Sequence, residues 1–284
     1  LQPKPIGTGD AVRCGLDKVQ NDSKVLVLYG DVPLIKKETL QNLIDSSNSG
    51  LSILTTVLDE PFGYGRVKIN SNNEALEIVE EKDATDKERQ IQEIFTGVLC
   101  GSKALIEEGL CRITNNNAAG EFYLTDLVSI INEKGIRINT YKASNEEVKG
   151  ANSKQELEQL EATHRAMQVE DLFEKGITIT DASRLDVRGS VECGKDCSID
   201  VNVILEGNIV LGDNVSIGPN CIVKNANIGS NTKIEAFSHI DGAKIADNCV
   251  IGPYARLREG SQIESFAKVG NFVETKNSTL GKGS

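Results

Sequence analysis

The chain has 284 residues and a formal net charge of −11, with 39% hydrophobic, 26% charged and only 4% aromatic side chains. That length suggests about two domains, and the acidic balance with no dense Lys/Arg stripe argues against nucleic acid as a partner. No apolar run approaches the ~20 residues that a membrane span needs, and no signal-peptide pattern opens the sequence.

Seven cysteines are scattered along the chain without a CxxC pair, and only two histidines accompany them. A zinc site therefore has no basis, and reduced thiols in a cytoplasmic protein are expected. Leu1-Gln2-Pro3 is not a natural start, and a strand pattern is already under way at Val25, so the sequence reads as cut from a longer one.

Gly7-Thr8-Gly9 reads as a loop feeding a short helix over 11–18. Its backbone can approach a base or a phosphate, and an ordinary turn is the other reading. Next comes Val25-Leu26-Val27-Leu28-Tyr29-Gly30-Asp31-Val32-Pro33. Four apolar residues without alternation predict a parallel strand covered on both faces, ended by Pro33, which has no amide hydrogen for a ladder. Asp31 then sits at the carboxyl end of the strand, where open α/β sheets place ligands. A carboxylate there suits a divalent cation held against phosphates; the alternative is a cap for a helix over 36–44, or a turn.

The pattern continues with a helix over 37–46 and strands over 51–57, 66–69 and 75–79. A charged stretch over 80–89 reads as solvated loop and helix. A strand over 93–100 carries Gly97, the loop Asn115–Asn117 follows, and 123–133 is a helix. This alternation implies a mostly parallel, doubly wound sheet.

A polar join over 152–175 follows. Leu157, Leu160, His164, Met167 and Leu172 fall at helical spacing, which makes it one long helix with a modest apolar stripe. His164 is expected to be a packed or partly exposed residue of that helix.

From Val187 an aliphatic residue or cysteine recurs at every sixth position: Val187, Cys193, Ile199, Leu205, Leu211, Ile217, Val223. The series slips by one residue to Ile228, Ile234 and Ile240, and again to Ile245, Ile251, Leu257, Ile263 and Val269. A six-residue period is neither helical nor a strand alternation; it marks a β-helix with one repeat per flat face. Each aliphatic points inward and contributes roughly 1.5–3 kcal/mol on burial. His239, beside the inward Ile240, is expected to point outward in a structural role. The repeat is silent on chemistry.

In order, LQPKPIGTGDAV, LYGDVPL, FGYGRV, VEEKDATDKERQIQEI, TNNNAAGEFYLTDL, VKGAN, IGPYARLREG and VGNFVETKNSTLGKGS closely resemble the bacterial bifunctional N-acetylglucosamine-1-phosphate uridylyltransferase/glucosamine-1-phosphate N-acetyltransferase family. The resemblance covers nearly the whole chain. It implies an α/β plus all-β fold: a Rossmann-like uridylyltransferase domain over 1–151, a helical linker over 152–176, and a left-handed parallel β-helix over 177–284. It also implies a cytoplasmic homotrimer that works on small molecules, without nucleic acid or membrane.

Carried over by position, Gln2, Gly7 and Thr8 match the uridine loop, and Tyr29 and Gly30 line the nucleotide-sugar site. Asp31 and Asn152 match the Mg²⁺ ligands. Gly65, Glu80 and Thr125 match contacts to the N-acetylglucosamine moiety. On the solenoid, Arg258 and Lys276 match the residues that grip the phosphate of glucosamine-1-phosphate, the acceptor of the acetyl group of acetyl-CoA. UTP is the nucleotide. The resemblance puts the triphosphate loop before Leu1 and the acetyl-transfer histidine after Ser284, so no catalytic base or nucleophile falls within the chain. On that basis the 284 residues alone are expected to catalyse neither reaction. Phe95 departs from the family, which has an Asn touching the sugar there. Two rivals stand beside this reading: a single-activity sugar nucleotidyltransferase whose solenoid only oligomerises, and a non-catalytic scaffold.

Overall fold

The structure, a computed structural model, describes residues 2–284. The chain divides into two compact units, one ending at Leu160 and the other covering Glu161–Ser284. The first contains α1 (Thr8–Leu16), β1 (Lys24–Val27), α2 (Lys37–Ser46), β2 (Leu51–Val57), β3 (Arg66–Ile69), β4 (Ala75–Val79) and β5 (Glu93–Ser102). After these come α3 (Lys103–Leu110), α4 (Asp126–Asn132), β6 (Ile138–Lys142) and the start of α5 (Lys154–Glu174).

β2 and β5 explain how a continuous apolar run becomes a strand. In β2, Leu51 and Ile53 join one core cluster and Leu54 another; in β5, Phe95 and Leu99 join the first, and Val98 and Cys100 the second. The first cluster takes Ile106 and Leu110 from α3 and Leu127 and Ile131 from α4, while the second takes Leu43 from α2. The sheet is therefore covered on both faces by helices, which is the α/β class expected.

Pairing inside that sheet differs from expectation. The order is β4-β3-β5-β2-β6, with β1 also on β5. Only β2 and β6 run parallel; every other pair is antiparallel. The reason lies between Val57 and Glu93, where β3 and β4 form an antiparallel pair instead of the helical crossover that parallel neighbours need. β1 is also not buried on both faces. Among the described residues it pairs with β5: Lys24 is exposed, Val25 to Val27 are half-buried, and Leu28 lies outside the strand. Two elements escaped the sequence reading. α3 is capped by the Ser102 hydroxyl, which accepts from Leu105 N, and β6 adds to β2.

The second unit is a parallel β-solenoid, compatible with left-handed winding. Every strand pair in it is parallel, and inward residues stack on inward residues: Ile199 on Ile217, Ile217 on Ile234, Ile234 on Ile251, Ile251 on Val269. The successive offsets of eighteen, seventeen, seventeen and eighteen residues account for the two slips in the hexad series. All ladder positions are buried except Cys193, which packs half-buried against the core. Corners are turned largely by asparagines with positive φ, among them Asn202, Asn214, Asn220, Asn231 and Asn248, because Asn tolerates the left-handed region better than most side chains. All seven cysteines are free thiols.

Candidate active site

In the first unit, the loop before α1 is fastened by its backbone. Gly9 N donates to Phe122 O at 2.8 Å, and Phe122 N donates to Ile6 O at 2.9 Å. Gly7 has φ 126°, and a Cβ there would run into the Phe122 carbonyl oxygen and lie 2.6 Å from Phe122 N. Only glycine allows this approach. Gln2 Nε2 donates to Gly7 O at 3.2 Å and to Asp10 at 2.8 Å.

Thr8 Oγ1 accepts from Leu124 N at 3.0 Å. One residue on, the Thr125 hydroxyl donates to Glu80 at 2.8 Å. Gly65 lies against the same carboxylate: a Cβ on it would sit 3.6 Å from Glu80 Oε2. Tyr29 closes the group. Its ring packs on Gly97, where any Cβ would collide with it. Burial pushes its phenol up, a Thr8 hydrogen bond works against this, and the charges of Glu80 and Asp31 add to it. Gln2, Gly7, Thr8, Tyr29, Gly65, Glu80 and Thr125 are thus brought together from five separate stretches of sequence.

The surroundings are acidic. Burial raises the Glu80 carboxyl, the Thr125 hydrogen bond opposes this, and Asp83 and Glu121 add to the rise. Asp126, in the first turn of α4, is pushed up to about 6 by burial and by Glu80, Asp83 and Glu77. Sequence reading missed Asp126; its position beside Glu80 depends on the fold, and only its place after Thr125 gave a hint.

Asp31 and Asn152 line one cavity of about 410 Å³ together with Gly30, Ala151, Ser153 and Lys154. Ala151 N donates to Asp31 O at 3.0 Å, which ties the two segments. Asp31 does not cap α2; Glu147 serves that end, accepting from Lys36 N at 3.3 Å and Thr39 Oγ1 at 2.5 Å. Asp31 and Asn152 present one carboxylate and one amide oxygen, neither used in a hydrogen bond among the described residues. No cluster of three or more His, Cys, Asp or Glu side chains that could hold a metal occurs among those residues. Two hard oxygen donors suit Mg²⁺, which takes the rest of its shell from substrate phosphates and water.

Phe95 is 6% exposed and belongs to the core beneath the sheet. What it gives the site is its backbone: Phe95 N donates to Gly65 O at 2.9 Å.

In the second unit, Arg258 and Lys276 line a cavity of about 250 Å³ with His239, Asp241, Arg256 and Glu259. Arg258 Nη1 meets Glu274 Oε1 at 2.7 Å. Arg258 first, then Arg256 and Lys276, hold the Glu274 carboxyl below the usual carboxylate range.

The family model described as Nucleotidyl transferase matches residues 1–171. The chain belongs to the nucleotidyl transferase family. A second model, described as the GMPPB C-terminal domain, matches residues 187–283, within the solenoid unit. This nucleotidyl transferase is 47% identical over 286 residues to the "Bifunctional protein GlmU" of Paraburkholderia phymatum, covering 100% of the chain and 63% of that protein. The proteins of the same name from Burkholderia multivorans and Acinetobacter baumannii are 47% and 45% identical at the same coverage. The chain therefore spans less than two thirds of the length of these relatives. No helix of the described residues is long and apolar enough to cross a membrane.

Proposed function

We propose that this chain belongs to a bifunctional transferase that makes UDP-N-acetylglucosamine. One unit transfers uridylyl from UTP to N-acetylglucosamine-1-phosphate, releasing pyrophosphate. The other serves acetyl transfer from acetyl-CoA to glucosamine-1-phosphate. The observation that carries the reading is the joined cluster of Thr8, Tyr29, Glu80 and Thr125 beside Asp31, built from hydrogen bonds between distant segments.

In the uridylyl site, Gln2, Gly7 and Thr8 present the uridine loop, held open by the Gly7–Phe122 approach. Glu80 accepts from sugar hydroxyls while Thr125 fixes its direction, and Gly65 leaves room for the ring. Asp31 and Asn152 hold Mg²⁺, which supplies neutralisation of charge on the phosphates. The sugar phosphate is itself the nucleophile at the α-phosphorus, so the protein positions reactants and needs no covalent intermediate.

On the solenoid, Arg258 offers a planar fork and Lys276 a point charge to the phosphate of glucosamine-1-phosphate. That pocket favours two activities over a solenoid that only oligomerises. A trimer in the cytoplasm completes the reading. Calorimetric titration of the chain with UDP-N-acetylglucosamine and Mg²⁺ tests it. Binding that Thr8→Val and Asp31→Ala each weaken supports the site, and binding indifferent to both removes it.

A further inference from the structure

The phosphate pocket of the solenoid contains a residue that the two-cation description leaves without a role. His239 lines its wall, and Nε2 of its imidazole is shut off from solvent with no hydrogen-bond partner. A buried polar atom left in this way costs free energy that folding alone does not recover, and in native proteins such atoms call for a reason. It is one of only three such side-chain atoms among the described residues, and the only one of them in a residue that lines this pocket.

The ladder fixes what lies around it. His239 stacks between Ile222 on the preceding coil and Arg256 on the next, and Arg256 stacks beneath Glu274. Asp241 stacks on Lys224. The charged groups around the imidazole are therefore Arg256, Arg258 and Lys276 on one side of the balance and Asp241, Glu259 and Glu274 on the other, with Lys224 behind Asp241. Glu274 is occupied by Arg258. Arg256 and Lys276 make no hydrogen bond or ion pair through their side chains among the described residues. Two unpaired cations and an unpartnered imidazole nitrogen on one cavity describe a place for an oxyanion.

We infer that His239 is a recognition residue for the phosphate monoester in this pocket: Nε2–H donates to a phosphate oxygen, with Arg256 as a further cation beside Arg258 and Lys276. The inference rests on the reading of the pocket as the sugar-phosphate site. Phosphate oxygens accept and do not donate in the dianion, so the nitrogen that meets them carries the proton. Arg256, Arg258 and Lys276 line the same cavity, so the phosphate that accepts from Nε2–H also offsets their charge.

The chain has only two histidines, His164 and His239, so ring NMR resolves them. His164 is an exposed residue of α5 and serves as an internal reference. The 284-residue chain is titrated with glucosamine-1-phosphate, with inorganic phosphate, and with glucosamine, which lacks the phosphate. The expected result is a shift of the His239 ring signals with both phosphates and a still His164. His239→Leu weakens glucosamine-1-phosphate about tenfold, and His239→Gln, which keeps a donor, retains most affinity.

The outcomes separate the two levels of argument. If glucosamine-1-phosphate binds and Arg258→Ala abolishes it while His239 does not move, the role of His239 is overturned and the pocket stands. If glucosamine moves His239 as much as the phosphates do, recognition of phosphate is overturned. If nothing binds, or Arg258→Ala changes nothing, the pocket reading fails and the inference with it.

Discussion

In the first unit, Thr125 reaches Glu80 across 45 residues and Leu124 reaches Thr8 across 116. In the solenoid, His239 meets Arg256 and Arg258 meets Glu274 from adjacent coils. One site is assembled by distant chain segments fastening one another; the other is read off a lattice in which place along the sequence sets place in space. Their electrostatics differ in the same way. Burial among other acids drives Glu80 and Asp126 up, whereas three cations pull Glu274 down. A solenoid can vary its outward residues one by one over an unchanged core; the α/β site cannot vary Thr125 without disturbing Glu80.

The largest effect that would sharpen this contrast is at Asp31. Under the proposed function, in a bifunctional enzyme that includes these residues, Asp31→Ala should lower uridylyl transfer roughly a thousandfold or more, since a metal ligand there would carry several kcal/mol of charge stabilisation. Acetyl transfer should stay within about twofold of its original rate if the two sites are energetically separate. Parallel loss of both activities in a folded variant would break the division into two independent sites.

Next in size is the solenoid core. Ile217 and Ile234 are 2% and 1% exposed and stacked on each other, so Ile→Ala at either should cost about 2–5 kcal/mol in denaturant melts. Lys233→Ala, on the outward side of the same strand, should stay within about 0.5 kcal/mol. Asn214 is exposed but is not a neutral control: its φ is 55° and its side chain donates to Asn231 Oδ1 at 3.2 Å. Equal costs for inward and outward residues would mean that the six-residue register is wrong.

The same contrast decides what was legible in the sequence. The solenoid register was legible residue by residue, slips included, because each inward position sees only its neighbours one coil away. In the α/β unit, the strand bounds of β2, β3 and β4 followed from β-branched runs, but their partners did not. Nothing local in residues 66–79 says that β3 and β4 turn back on each other, and nothing near Val25 says that its strand runs antiparallel to β5. The site residues came from motif resemblance; that Thr8, Glu80 and Thr125 meet is a property of the fold. At His239 the limit of the sequence has the opposite cause. Its outward direction was legible, but the cations over it lie one and two coils further on, at Arg256, Arg258 and Lys276.

A smaller effect is expected at Thr125. Thr125→Val keeps the shape of a residue that is 5% exposed but removes the hydroxyl that donates to Glu80. An orphaned, half-buried carboxylate costs about 1–3 kcal/mol and its pKa rises further, since the hydrogen bond now opposing burial is gone. Sugar-phosphate affinity should fall about tenfold or more, with nucleotide affinity less affected. Unchanged affinity for both would detach Glu80 from the sugar and leave the Thr125 contact purely structural.

The smallest effect concerns Asp126, and it is best seen as a slope against pH. The carboxyl stands near 6 in the folded protein against an ordinary 3.8, chiefly through burial, with Glu80, Asp83 and Glu77 adding to it. Between those two values the folded state holds more protons than the unfolded one, so stability falls as pH rises through that window. Above about 6 the full penalty of the buried charge is present, and below about 4 it is absent. Asp126→Asn removes the titration. Its stability relative to the wild type should grow from pH 4 to pH 6 and then level off. At neutral pH the gain should be at most about 1 kcal/mol, because the group is half-exposed and screened and because the first turn of α4 favours a negative charge. Thermal melts of the two proteins at closely spaced pH values isolate the difference from every other titration they share. Curves that run parallel from pH 4 to pH 7 would show that Asp126 titrates as an ordinary surface carboxyl, and the acidic crowding around Glu80 would then be too weak to set this unit apart from the solenoid.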